Sequence, residues 1–349
     1  MQRSFCFRIT CFGLLLLGLC GCVSELALPD IASDRKLVLL GELIADDTIS
    51  LRLGHSTPVA QGSMALPPDP VGISAFISKE NTRIASLQPQ IDRHTLYLNT
   101  LLISEPQRIF SGSRYSIQVL SNKYPPASAT VQIPHPFITA IIDTVTVSYA
   151  GHQALRVLFR IYDLAGETNF YSVEAQRQSF ALSGTFVYRR DTFDLVQDKP
   201  LYDSLRSAGL FPPRFVDTNY ATIYERLPLY TNDALSENLK LATPFTSAKR
   251  ILVADAGFAN NRHDLQVFVP KDHFQGSFPR DLGRIILSVK SVTPDYFDYL
   301  RAYETFTPAT STGYLAQPVR IKGNVTGGLG VVGGCFRVSY SFHFDSNPF

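Results

Sequence analysis

Apolar and polar positions alternate with a period of two over much of the chain, the spacing at which a β-strand buries one face. Strand-like runs cover 36–44, 48–53, 71–77, 82–87 and 95–98. Further on, Tyr115, Ile117 and Val119 alternate with Ser116 and Gln118, and Ala129, Val131 and Ile133 repeat the pattern. Turn residues divide these runs at Ala45-Asp46-Asp47, at 78–81 and at Asn122-Lys123, and a Pro-rich loop over 54–70 ends in Pro67-Pro68-Asp69-Pro70. Short strands punctuated every ~8–12 residues are the mark of an antiparallel sandwich. The pattern predicts an immunoglobulin- or transthyretin-like β-sandwich over 36–133.

Pro134-His135-Pro136 marks the boundary, because two prolines so close cannot sit in a central strand. A larger β-rich domain is expected over 137–349. Its strands are read at 143–149, 155–162, 170–175, 251–254, 265–269, 284–289, 319–321 and 336–344, with 185–189 extending the sheet. Residues 191–248 are long, polar and tyrosine-bearing, with Pro212-Pro213 inside, and suggest short helical pieces and one edge strand. One helix stands out near the C-terminus. Thr293 can cap it, Pro294 suits the first helical position, and Asp295 suits the positive helix end. Tyr296, Tyr299, Leu300 and Tyr303 then share one face for about three turns. That stripe is expected to pack on the sheet with its hydroxyls at the rim. The fold class is all-β with one notable helix.

The first residues do not belong to this pattern. Arg3 and Arg8 precede an apolar run from Ile9 to Leu19, the make-up of a signal leader. The run is too short to cross ~30 Å of hydrocarbon. It ends in Leu19-Cys20-Gly21-Cys22, which resembles the lipobox of bacterial lipoproteins. The resemblance implies cleavage before Cys22 and lipidation of its thiol; Cys20 is the rival, but Leu19 is bulky for the cleavage subsite. Residues 1–21 are then the signal peptide and 22–35 a lipidated tether. The 32 Lys and Arg fall to 30 once Arg3 and Arg8 leave, against 30 Asp and Glu. A near-neutral chain without basic clusters argues against nucleic acid as a partner. The membrane is expected to hold the protein through two or three acyl chains, each CH₂ adding ~0.8 kcal/mol. Cys6, Cys11 and Cys20 go with the leader and Cys22 is lipidated, so Cys335 alone remains, read as a small buried residue.

Candidate chemistry is thin. Gly328-Leu329-Gly330-Val331-Val332-Gly333 spells a dinucleotide fingerprint, but a strand follows it where a helix is required. These glycines are expected to serve a hairpin, a bulge or a close backbone approach. His55, His94, His135, His152, His263, His273 and His343 form no metal-ligand spacing, and His263-Asp264 and Lys271-Asp272-His273 read as solvated loop charge. No GxSxG elbow is present. The acidic turn Asp163, Glu167, Asn169 lacks calcium-loop spacing, and Asx-type turn bonding accounts for it. No catalytic residue, metal or cofactor is expected. With no Trp among the aromatics, Tyr220, Tyr224 and Tyr230 are the first candidates for ligand contact, with loop anchoring as the plainer role.

Four ordered segments of the second half resemble the domain-of-unknown-function 4249 family of Bacteroidetes outer-membrane lipoproteins. They are 163–171 (Asp163 to Tyr171), Val253-Ala254-Asp255-Ala256-Gly257-Phe258, 285–300 with Pro294-Asp295-Tyr296, and 317–331 through Asn324. Thr326-Gly327 stands where the family tends to have Glu-Asn. The resemblance implies an immunoglobulin- or transthyretin-like opening module, an outer-membrane location, and association with a TonB-dependent transporter. The expected function is a non-catalytic, lipid-anchored protein for binding or capture; the alternative is surface adhesion or an envelope-structural role.

Overall fold

The computed structural model describes residues 35–56, 71–91, 101–149, 151–164, 166–194, 197–209, 214–237, 248–258, 261–274, 282–311 and 321–343, with the backbone alone at 91, 101–104, 179–184, 206, 214–223, 282 and 306–311. From Lys36 onward these residues belong to one compact unit. The fold is all-β, as the alternation implies.

Strands β1 (Leu37–Ile44), β2 (Thr48–His55), β3 (Ile73–Lys79), β4 (Thr82–Ile91), β5 (Leu101–Arg108), β6 (Arg114–Ser121) and β7 (Ala127–Gln132) build the first part. They pair in the order β1-β2-β5-β4-β3-β6-β7. β4 turns the corner: residues up to Leu87 pair with β3, and Gln88–Ile91 pair with β5. A strand that changes sheets in this way folds the path back on itself, so that inward side chains meet face to face. Leu37, Leu39, Leu43, Ile49, Leu51, Leu53, Ile77, Tyr115, Ile117, Val119 and Val131 form that interior, all but closed to solvent. Alternate positions are the buried ones, as in β6, where Tyr115, Ile117 and Val119 are inside. β5 escaped the sequence pattern because Glu105, Pro106 and Gln107 interrupt its apolar start.

The second part stacks two sheets. β8 (Ile138–Tyr149), β9 (His152–Tyr162) and β14 (Arg262–Pro270) form the smaller, in the order β14-β9-β8. The larger contains β10 (Phe170–Tyr188), β12 (Arg214–Leu227), β13 (Ile251–Ala254), β15 (Leu282–Val292) and β16 (Leu329–His343), with short β11 (Asp191–Asp194) on β10. Between them lie Val157, Phe159, Ile161, Tyr171, Val173, Ala175, Leu265, Val267, Ile285, Leu287 and Val289. Segment 191–248 is more regular than expected. It holds helix α1 (Lys199–Ser207) and the 14-residue β12, which registers against β10 from Ala175 to Val187. Phe186 and Leu205 make a small core there, flanked by Tyr188, Phe193, Leu201 and Tyr202.

β16 joins the two parts. Its first half lies parallel to β1, from Val38↔Leu329 to Ile44↔Cys335, and its second half runs antiparallel to β15. The glycine run serves close approach: a Cβ on Gly330 would strike the Leu39 carbonyl, and one on Gly328 the Leu37 carbonyl. Helix α2 (Pro294–Ser311) starts where expected: the Thr293 carbonyl accepts from the Phe297 amide at 2.9 Å, and its hydroxyl accepts from the Gly334 amide of β16 at 3.3 Å. α2 is longer than the three turns its stripe predicts. Tyr296 and Leu300 are buried, Tyr299 and Tyr303 half-buried, and Phe297 joins the buried set from outside the stripe.

Candidate functional site

Three strands bring a charge to the same place from among apolar neighbours: Glu42 in β1, Glu174 in β10 and Lys290 in β15. The register puts all three on the same face of the large sheet, since Glu42 opposes Gly333, Glu174 opposes Ser288, and Lys290 opposes both Ser172 and Arg337. α2 covers that face. Lys290 Nζ donates to Glu42 Oε2 at 2.7 Å and to Glu174 Oε2 at 3.2 Å. Glu174 also accepts from Arg250 Nε at 2.9 Å and from Arg226 at 3.4 Å, while Arg250 reaches Glu304 of α2 at 3.1 Å. Tyr296 of α2 donates its hydroxyl to Glu42 Oε1 at 2.6 Å. Gly333 makes this approach feasible, because any Cβ there would strike the Tyr296 ring.

Three carboxylates thus meet three cations, and Lys290 and Glu174 are almost wholly buried. Burial alone would raise the Glu174 carboxyl, but Lys290, Arg226 and Arg250 outweigh it and pull its pKa down to about 2. Burial would lower Lys290, yet the carboxylates of Glu42 and Glu174 raise it above the ordinary lysine value. Burial, and secondarily the Glu42 charge, pushes the Tyr296 hydroxyl and the Cys335 thiol well up. Proton transfer near neutral pH favours groups poised near neutral pKa. Here every shift moves away from neutrality, and a thiol kept protonated is a poor nucleophile. The arrangement suits a clasp between strand, sheet and helix.

A second polar cluster ties the β9–β10 loop to the 3-10 turn Asp255–Gly257. The Asn169 amide donates to Asp255 Oδ2 at 2.5 Å, and the Asn169 side chain donates to Asp163 Oδ1 at 3.0 Å. Tyr171 donates to the same Asp163 oxygen at 3.3 Å. Burial, with Asp163 nearby, raises the Asp255 carboxyl above its ordinary value. Beside this, His263 Nε2 lies 2.7 Å from Asp233 Oδ2, and its ring stacks on Phe258 at 4.9 Å. His263 is therefore a strand residue paired across 30 positions, not solvated loop charge, and its neighbour Asp264 is held by a bidentate Arg160 at 2.6 Å. Among the described residues no group of three or more His, Cys, Asp or Glu stands ready for a metal ion.

The sequence candidates fall in different places. Cys22, His94 and the side chain of Tyr220 lie outside the described residues. Tyr230 is anchored: its backbone pairs with Phe268, and its ring meets Tyr149 edge-on at 6.1 Å. Tyr224 is 58% exposed, and its hydroxyl accepts from Gln178 Nε2 at 3.1 Å. Cys335 is fully buried, as read. His55 stacks on Tyr124, while His135, His152 and His343 are exposed on separate elements. The ion cluster itself was missed. Its signal was a charge set between apolar neighbours in each of three strands, something local pattern reading passes over.

The family described as a domain of unknown function, DUF4249, matches residues 25–341. No curated protein matches the chain. Both halves of the Asn169–Asp255 contact, and Tyr296 of the charge cluster, fall within segments on which the family resemblance rests.

Proposed function

The chain belongs to the DUF4249 family, and from that premise we propose a non-catalytic binding lipoprotein, anchored in the outer membrane through Cys22 and accessory to a TonB-dependent transporter. The observation that carries this reading is the fate of the chemistry-bearing groups. Lys290, Glu174, Arg250 and Cys335 are buried beneath α2, with the charges paired, so this cluster serves the scaffold rather than a substrate. The family match begins at residue 25, just past the lipobox-like Cys22, which fits a leader and anchor preceding the family's own domain.

A binding protein needs a surface. Edge strand β8 exposes Ile138, Ile142 and Val145, and Tyr162 lies exposed directly opposite Ile138 on β9. Exposed apolar side chains gathered on β8 and its neighbour suit protein contact, and the transporter is the partner we assign to them. The test is isolation of the native protein from membranes in mild detergent, with mass-spectrometric identification of what accompanies it. A β-barrel transporter should co-purify in fixed ratio, and Cys22→Ala should leave the chain without label from fed fatty acid. Recovery without any barrel protein would overturn the accessory role and favour adhesion or envelope structure.

A further inference from the structure

Resting on the binding role above, we infer that the face of the large sheet where Tyr224 is exposed, at the row Tyr224–Gln178–Arg284, is a site for a carboxylate-bearing oligosaccharide. The register builds this row across three neighbouring strands: Tyr224 of β12 opposes Gln178 of β10, which opposes Arg284 of β15. All three share the face whose lower part is covered by α2.

Gln178 is the centre of the arrangement. It is only 7% exposed, and both ends of its amide are used. Its Nε2 donates to the Tyr224 hydroxyl at 3.1 Å, and its Oε1 accepts from Arg284 Nε at 2.6 Å. A buried amide thus fixes an exposed aromatic ring on one side and a guanidinium on the other, two strand spacings or ~10 Å apart. Holding contact groups by a second layer of hydrogen bonds is how a binding surface is preorganised.

The chemistry of the ends points to the ligand. The Tyr224 ring offers an apolar platform with a polar tip, suited to the C–H face of a pyranose. Arg284 spends Nε on Gln178, and its terminal nitrogens match the two oxygens of a carboxylate. The next row along the face brings Arg226, Gln176, Ile286 and Ser341, and the one after it Ser288 and Ser339, joined at 2.9 Å. These rows supply hydroxyl, amide and guanidinium groups. Their one carboxylate, Glu174, is buried and already neutralised by Lys290, Arg226 and Arg250. The face is therefore polar with a cationic bias, which suits a uronic-acid chain better than a neutral one.

Affinity electrophoresis of the full chain in gels containing polygalacturonate, with the neutral glucan laminarin as control, tests this. The native chain should be retarded by polygalacturonate, less so at high salt. Tyr224→Ala and Arg284→Gln should each weaken retardation about tenfold or more, while Tyr224→Phe, which keeps the ring, should stay within about threefold. Melting temperatures of the variants confirm that the fold survives. Absence of retardation, equal retardation of all variants, or equal retardation in laminarin would overturn the assignment. If the transporter still co-purifies in that event, the binding role stands and only the glycan site falls.

Discussion

Strand β1 contributes to two interiors of different character. Leu37, Leu39 and Leu43 enter the core of the first sandwich, among Ile, Val and Leu from β2, β3, β6 and β7. On its opposite face Leu40, Glu42 and Ile44 turn toward α2, where Glu42 meets Lys290 and Tyr296. The first interior is non-directional, so its loss scales with the volume removed. The second depends on matched charges, where removing one partner strands another away from water. The first thus tolerates imperfection, and the second fixes which strand, sheet and helix belong together.

Lys290→Met should show the largest effect, because it leaves Glu42 and Glu174 without their shared cation. Breaking a buried pair in this way costs ~3–5 kcal/mol, to be read from denaturant unfolding. Leu300→Ala removes an apolar side chain from the underside of α2, next to the charges, and should cost ~2–5 kcal/mol. A larger loss for Leu300→Ala than for Lys290→Met would mean that packing rather than charge matching dominates beneath α2.

Acid should separate the two interiors without mutation. The Glu174 pKa falls from an ordinary 4.5 to about 2 in the folded chain. A depressed carboxyl contributes stability above its unfolded pKa and loses it as pH falls through the folded one, so the contribution is full above about 4.5 and gone below about 2. Melts between those limits should therefore show native stability declining on the order of a few kcal/mol, and the decline should shrink in Glu174→Gln. The smallest effect should come from Arg337→Ala. Its pair with Asp47 is 2.8 Å long but exposed, and such pairs are worth ~0–1 kcal/mol. A loss approaching that of Lys290→Met would mean that exposure does not separate these pairs.

The contrast also explains what was legible beforehand. Alternation is local, so β1, β2, β6, β9 and β15 could be read from neighbouring residues, and the Tyr296–Leu300 stripe from helical spacing. β12 could not: Asp217, Thr218 and Asn219 blur its pattern, and its length comes from pairing with β10. α1 carried Pro200 near its start, but its apolar face is only Leu201, Tyr202 and Leu205. The charge cluster was least legible because Lys290 lies 248 positions from Glu42 and 116 from Glu174. Nothing in a window of ten residues reveals such a partnership. Of the Tyr224–Gln178–Arg284 row only Tyr224 was visible, as a tyrosine in an irregular segment; Gln178 and Arg284 came to it only through register.

The central claim is that the charges beneath α2 act together as a clasp, and the coupling between Glu42 and Lys290 tests it most directly. A double-mutant cycle with Glu42→Gln, Lys290→Met and the pair, read by equilibrium unfolding, should give a coupling of ~1–3 kcal/mol, the double variant being less damaged than the sum of the singles. Additivity within ~0.3–0.5 kcal/mol would contradict the clasp.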